Sequence, residues 1–434
     1  MKTVIRNAIL VSFVGEALIQ KRGSIFVDNS IIAKVGELDQ ETRASSADMV
    51  IDGKDIILTP GFVNLHTHAG PTAIRGIAED MPLTKWLETY VNPAHRVLRK
   101  EDAMTDYRLA YLEMLKSGIT HALDMYRFPE VGVREANELG IRATLVPYTA
   151  DVYDYFEGPD DTVRNVRMFS NTKGLGRVWV GFEHISYCTE SCLELLSNAA
   201  LEYKTGIHTH EFETLDFVEN AVKKYGKRPL DVFKQFNMLN HKLILAHCVW
   251  PTPEELRVMA EAGVSIAHNP TSNMKLASGV APVAEMIRLG INAGLGTDGV
   301  KENNRLDIFQ EMKNASLIQR AITGNASLMK AAEVFKIATV NGNAALGIKA
   351  GQLREGYLAD LVLIDATAPN INPLYLENSV SAVVYSAHPG NIIAVMVNGN
   401  MVVENGKHVH IDETSVIKNA REAGEALLKR IEKS

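Results

Sequence analysis

LILAHCVWPTPEELRVMAEAGVSIAHNP, residues 243–270, holds one full period of the pattern that decides the fold. Two short apolar runs, LILAHCV at 243–249 and VSIAHNP at 264–270, flank PEELRVMAEAG, which has helical apolar spacing and stops at Gly263, as helices tend to. Strand, helix and strand in that order predict a βα unit feeding a parallel sheet. Working outward, the alternation recurs in FVNLHTH (62–68), THALDMY (120–126), RATLVPY (142–148), VWVGFEHI (178–185), GIHTHEF (206–212) and NAGLGTD (292–298), with helical stretches such as EDAMTDYRLAYLEMLKSG between them. Eight runs match a (β/α)8 barrel, in which the C-terminal ends of the strands form the catalytic face.

Beyond this region the texture changes. The first 58 residues read as strands punctuated by Gly, Asn and Asp: VIRNAILVSF, ALIQKRGSIFVDNSIIAKVG and MVIDGKDIILTP. The opening MKTVIRNAILVSFVGEALIQ is interrupted by Arg6 and lacks a clear cleavage site, so it is expected to be a first strand rather than a targeting segment. ADLVLIDA, SAVVYSA and NIIAVMVNGNMVVENGKHV return to the strand style near the other end, with Asn398-Gly399 as a hairpin signal. A helix is expected over about 415–433. The division predicted is a composite β domain from 1–58 and 350–434, the latter including that helix, around a barrel over 59–349.

Of the 434 residues, 46% are hydrophobic and 22% charged, which excludes intrinsic disorder. Against 52 Asp plus Glu there are 45 Lys plus Arg, and the net charge of −7 disfavours nucleic acid or an anionic membrane as partner. A small molecule is the expected partner. Cys188, Cys192 and Cys248, odd in number and without CxxC spacing, suggest a reducing cytoplasm.

Seven of the thirteen histidines fall at or near the ends of the predicted barrel strands: His66, His68, His184, His208, His210, His247 and His268. One histidine on an apolar strand is ordinarily a hydrogen-bonded core residue, but seven converging on one face point to a metal. His66 and His68, two apart, project from the same side of a strand and can grip one borderline ion as neutral imidazoles. Asp298 in GLGTDG is a carboxylate on a buried strand, tolerable beside a cation or hydrogen-bond donors. Glu213, three residues after His210, falls just beyond its strand, within reach of a substrate held by the metal.

TPGFVNLHTHAGPTAIRGIAEDMPLTKWL, with IHTHEFET, LILAHCVW, SIAHNPTSNMKLASGVAP and GLGTDG, resembles the amidohydrolase superfamily, in the branch of methylthioadenosine/S-adenosylhomocysteine deaminases and triazine chlorohydrolases. The resemblance implies a distorted (β/α)8 barrel with a β-sandwich domain built from both chain ends. It implies one divalent metal, usually zinc and in some members iron, with His66, His68, His210 and Asp298 as ligands. By position, His247 would bond the activated water, Glu213 would shuttle protons and His184 would contact substrate. His208 lies one layer deeper, where packing is expected, and His268 is left open between strand structure and support of the site.

The chemistry that goes with this assignment is hydrolytic. A metal lowers the pKa of water to about 7. Asp298 can take the water's proton while Glu213 protonates a ring nitrogen, and hydroxide adds to the adjacent amino-bearing carbon until ammonia leaves. The same geometry would displace chloride or an alkylamine from a triazine-like ring. A binuclear cyclic-amide hydrolase would need a lysine after the fourth strand, where GFEHISYC has none, and a non-catalytic scaffold would have lost ligands that are all present here.

Nucleoside-deaminating members carry a glutamate where WLETYVNPAHR places His95, making His95 a candidate substrate contact and methylthioadenosine an expected poor substrate. A local shift of alignment would give that place to Glu88 or Glu101. The loop VPYTADVYDYFEGPDDTV holds no arginine but offers Tyr148, Tyr153 and Tyr155 for stacking. Self-association into a homo-oligomer completes the expectations.

Overall fold

The computed structural model describes residues 1–37 and 47–434. They form two compact units: Met1–Asn64 with Leu112–His121 and Asp307–Glu413, and Leu65–Tyr111 with Ala122–Leu306 and Thr414–Ser434. The architecture is a distorted (β/α)8 barrel with a small β-sandwich domain.

The sandwich is built from both chain ends. Its strands are β1 (Lys2–Val14), β2 (Ala17–Asp28), β3 (Ile31–Gly36), β4 (Met49–Asp52) and β5 (Ile56–Pro60), joined by four from near the other end, described after the barrel strands. The opening segment is thus a strand, buried over Thr3–Ile5 and Ala8–Phe13.

The barrel strands follow the eight predicted runs: β6 (Phe62–Thr67), β7 (Ile119–Met125), β8 (Arg142–Val146), then β9 (Gly176–Val178) and β10 (Val180–Gly181) in place of one fourth strand, and β11 (Ile207–Glu211), β12 (Leu243–His247), β13 (Ser265–His268) and β14 (Asn292–Leu295). They run in the orders β6-β7-β8-β9 and β10-β11-β12-β13-β14. The break at Trp179 splits strand four, so FEHI of the predicted run lies past its end, in the loop layer. Where strand eight returns to strand one, the Asp298 N–H donates to the His66 carbonyl at 3.0 Å. Gly296 allows that approach, since a Cβ there would stand 2.8 Å from the same carbonyl oxygen and 2.2 Å from Asn269 Oδ1.

The closing strands are β15 (Leu361–Asp365), β16 (Ile392–Val397), β17 (Asn400–Glu404) and β18 (Lys407–His408), in the order β18-β17-β16-β15-β5-β1-β2-β3, with β4 beside β1. Ile5, Leu10, Ile25, Leu58, Leu361 and Met396 share one apolar core, so the two chain ends are one folding unit. Asn398 and Gly399, both at positive φ, make the expected hairpin turn between β16 and β17.

Two secondary-structure expectations need correction. SAVVYSA is not a strand: Ser379–Ser381 and Ala382–Ser386 are helical, with Val383 and Val384 buried and the Tyr385 hydroxyl accepting from Arg320 at 2.7 Å. A short apolar run cannot by itself distinguish a buried strand from a buried helical turn, and packing overrode valine's strand preference. The terminal helix spans Glu413–Ile431, starting two residues earlier than expected, and Leu428 and Ile431 pack on the cluster around Ile74 and Trp86. No helix of the described residues is long and apolar enough to cross a membrane.

Candidate metal centre

GIHTHEFET shows how local sequence sets the site. After β11, Phe212 takes a left-handed conformation at φ 58°, and Thr214 caps the next helix by accepting from the Phe217 N–H. Glu213 is fixed between these two constraints. His247 (φ 72°), Cys248 (φ 50°) and Asp298 (φ 60°) also turn out of their strands in left-handed backbone. Such strain in residues other than glycine collects at functional sites.

His66, His68, His210 and Asp298 meet at the C-terminal mouth of the strands, all buried. His66 Nε2 and His68 Nε2 lie 3.4 and 3.2 Å from Asp298 Oδ1, and His210 Nε2 lies 3.2 Å from His68 Nε2. The other ring nitrogens fix the tautomers, as assigned from the hydrogen-bond network. His68 Nδ1–H donates to the Met125 carbonyl at 2.6 Å, and His210 Nδ1–H to the Glu183 carbonyl at 2.7 Å. His208 Nδ1–H donates to the Ile244 carbonyl at 2.9 Å, so its Nε2 accepts from His66 Nδ1–H at 2.8 Å.

The Nε2 lone pairs of His66 and His68 therefore face Asp298 Oδ1, and that of His210 faces His68 Nε2, with no proton between them. Apart from a cation, nothing makes that arrangement favourable. Donor separations of 3.2–3.4 Å match the ~3.3 Å edge of a tetrahedron with bonds of about 2.05 Å, and among the described residues the His66 Nε2 atom has no hydrogen-bond partner. The residues fit a divalent ion. Burial holds His66 and His210 well below the usual imidazole range, hence neutral, as ligands must be.

The segment after β13 supplies the supports. Ser272 Oγ donates to Asp298 Oδ2 at 2.6 Å, Asn273 Oδ1 accepts from His247 Nδ1–H at 2.9 Å, and Ser278 Oγ donates to Glu213 Oε1 at 3.2 Å. His247 Nε2 then stands 3.8 Å from both Glu213 Oε2 and Asp298 Oδ2. Burial lowers the His247 pKa but the two carboxylates outweigh it, leaving a net rise; burial raises that of Glu213. None of these three supports was legible in the sequence, although NPTSN, with its polar side chains opening a buried helix at Pro270, was a usable signal.

A cavity borders the centre, lined by His95, Tyr148, Phe156, Glu183, Glu213, Phe217 and Glu302 among others. His95 is buried there rather than solvated; its carbonyl accepts from Arg127, and burial, with Arg127 and Lys301 nearby, holds its ring neutral. Glu88 and Glu101 are exposed and outside the lining. Tyr148 stacks on His68 at 5.1 Å, whereas Tyr153 and Tyr155 stand outside the lining and Phe156 takes an aromatic place there. His184 is outside it as well, its Nε2 3.2 Å from Glu211 Oε1 and its Nδ1 2.7 Å from Ser186 Oγ. Its neighbour Glu183 faces the cavity instead, with burial pushing its carboxyl up to about 7. His268 is buried, with neither ring nitrogen hydrogen-bonded, and burial lowers its pKa to about 3.

The chain is similar to several known proteins over nearly its whole length. A 5'-deoxyadenosine deaminase of Methanosarcina mazei is 35% identical over 99% of both chains. A 5-methylthioadenosine/S-adenosylhomocysteine deaminase of Pyrococcus furiosus is 35% identical over 95% of this chain and 98% of that one. Among solved structures, a zinc-bound adenosine deaminase of Xanthomonas campestris superposes with a TM-score of 0.91 at 27% identity, covering 98% of each chain. An atrazine chlorohydrolase of Arthrobacter aurescens, complexed with zinc, gives 0.90 at 25% identity over 97% of this chain and all of that one. The amidohydrolase family profile matches residues 57–402, most of the chain including every proposed ligand, and the chain belongs to the amidohydrolase family.

Proposed function

We propose that the chain is a metal-dependent aminohydrolase: an amino-substituted ring carbon of an N-heterocycle reacts with water, the C–N bond breaks, and the ring oxo product and ammonia leave. The observation that carries this is the convergence of the unprotonated Nε2 atoms of His66 and His68 on Asp298, with His210 Nε2 against that of His68, beside Glu213 and His247. His66, His68, His210 and Asp298 would hold one ion, zinc by analogy with the zinc-bound structures and iron as the alternative. Bound there, the ion supplies Lewis acidity that makes water nucleophilic at neutral pH.

Asp298 is placed to accept the proton of attacking water. Glu213, protonated more readily because it is buried, delivers a proton to the ring nitrogen beside the reacting carbon. His247 positions the nucleophile from the side opposite Asn273. His95 and Glu213 contact the substrate, and His184, braced by Glu211 and Ser186, holds the loop that carries Glu183. Tyr148 and Phe156, stacked at 5.5 Å, offer the ring an aromatic wall.

The relatives' names favour a second reading, in which the ring is the base of a 5'-substituted adenosine. Displacement of chloride or an alkylamine from a triazine uses the same groups. A cytoplasmic homo-oligomer, with 59–349 as its catalytic barrel and 1–58 with 350–434 as its β domain, belongs to the same proposal. The test is ammonia release from a panel of aminopurines, aminopyrimidines, pterins, aminotriazines and 5'-deoxyadenosine; metal-loaded protein that turns over none of them refutes the reading.

A further inference from the structure

Glu183 is a cavity-lining carboxylate that the proposed chemistry leaves unused. It lies two residues past the end of β10 and is only 9% exposed. Its main-chain carbonyl accepts from His210 Nδ1–H, so that nitrogen has no second proton for the side chain, and Oε1 stays 3.9 Å from it. Oε2 has no hydrogen-bond partner. Glu302, on the same wall, differs in having the buried ammonium of Lys301 2.5 Å from its Oε1. Among the described residues, Glu183 has neither a cation nor an N–H donor for its carboxylate.

A buried acceptor without a donor is unfavourable, and a site that keeps one at a cavity wall is shaped for a ligand that brings the donor. Where on the ligand that donor lies follows from position. Glu183 is tied through its own carbonyl to His210 and lines the same cavity as Glu213. Both carboxyls therefore border the reacting ring. The six-membered ring of adenine, once its amino group is committed to leaving, presents only acceptor nitrogens, which leave the ionised carboxylate of Glu183 unsatisfied.

We propose that Glu183 is a specificity-determining residue, and that the preferred substrate is an amino-heterocycle carrying, besides the amino group that leaves, a further N–H donor on the ring edge, a second exocyclic amino group or a lactam N–H, bonded to Glu183 Oε2. This rests on the deaminase reading. Sites built to bond a polar group reject analogues lacking it by large factors, because the site's own group is then stranded.

The experiment compares two matched pairs on the metal-loaded enzyme: adenine with 2,6-diaminopurine, and 5'-deoxyadenosine with its 2-amino derivative. The wild type is expected to favour the 2-amino member of at least one pair by about 100-fold or more in kcat/KM. Glu183→Leu, which removes both acceptors at similar volume, brings the preference to within about threefold with metal content unchanged, and Glu183→Gln, which keeps one acceptor, falls between. Wild-type preference below about threefold in both pairs, or a preference that survives Glu183→Leu, overturns the inference. Should the leucine variant lose its metal, an unaltered preference in Glu183→Gln overturns it equally. Ammonia released from both members without discrimination sinks only this inference, whereas no release from any heterocycle of the wider panel sinks the deaminase reading and this with it.

Discussion

Removing His208 would separate a packing role from a role in preparing the metal site. In the folded chain its Nε2 accepts the only proton of His66 Nδ1 at 2.8 Å, while its own proton goes to the Ile244 carbonyl. Burial lowers its pKa to about 3, so it remains neutral and able to accept throughout the physiological range. In His208→Ala, the wholly buried His66 keeps an N–H with no acceptor, which costs about 1–3 kcal/mol. The ring escapes that cost by moving the proton to Nε2, and there it occupies the lone pair a metal needs. Metal affinity should therefore fall by about 10–100-fold, the usual effect of losing such a supporting partner, which equals about 1.4–2.8 kcal/mol. The affinity loss and the desolvation cost agree in size because they describe the same proton. Competition against a chromophoric chelator measures the dissociation constant, and His208→Gln, whose amide oxygen can accept from His66, should recover much of the loss. A dissociation constant in His208→Ala within about threefold of wild type would refute the relay and return His208 to packing.

Other outcomes follow from the same geometry. Elemental analysis should find one divalent metal per chain, and His66→Ala or Asp298→Ala should lose both metal and turnover; two metals, or none after purification without chelators, would contradict the assignment. Glu213→Gln keeps the size of the side chain and its contact with Ser278, so metal content should hold while turnover falls by about 10²–10⁴; more than about a tenth of wild-type turnover would remove Glu213 from the proton path. Burial pushes the Asp106 carboxyl from 3.8 to about 6 despite donors from Thr72 and Tyr126. The folded chain thus holds that proton longer than the unfolded one, and the group's contribution to stability, full below about pH 4, is lost as pH rises to about 6, by roughly 3 kcal/mol. Relative to wild type, Asp106→Asn should gain that amount between pH 4 and 7.5 in denaturant titrations, and a difference independent of pH would disprove the assignment.

The barrel was legible because its signal is local and repeated. Eight apolar runs alternating with helical patterns leave a parallel βα architecture as the economical solution, and histidines clustered at run ends mark the face where a barrel does chemistry. HxH in FVNLHTH and the carboxylate of GLGTDG suggested a metal by their chemistry, and the family resemblance made them ligands. SAVVYSA could not be resolved, since a five-residue buried segment satisfies either period and only its packing partners choose.

The remainder depends on contacts between residues far apart in sequence. Which nitrogen of each histidine at the centre is free is set by acceptors 26–142 positions away, such as Asn273 for His247 and His208 for His66. The supports Ser272, Asn273 and Ser278 become visible only when the segment after β13 folds over the mouths of its neighbours. At strand four, sequence reading favoured His184 for the substrate; the break at Trp179 ends that strand early, and it is Glu183 that faces the cavity while His184 is held by Glu211. Sequence by itself determined most of the elements and the identity of the chemical groups, because periodicity and residue type are carried by neighbours. Tertiary structure alone decided tautomers, charge states and which side chains face the substrate, because these depend on burial and on partners brought together by folding.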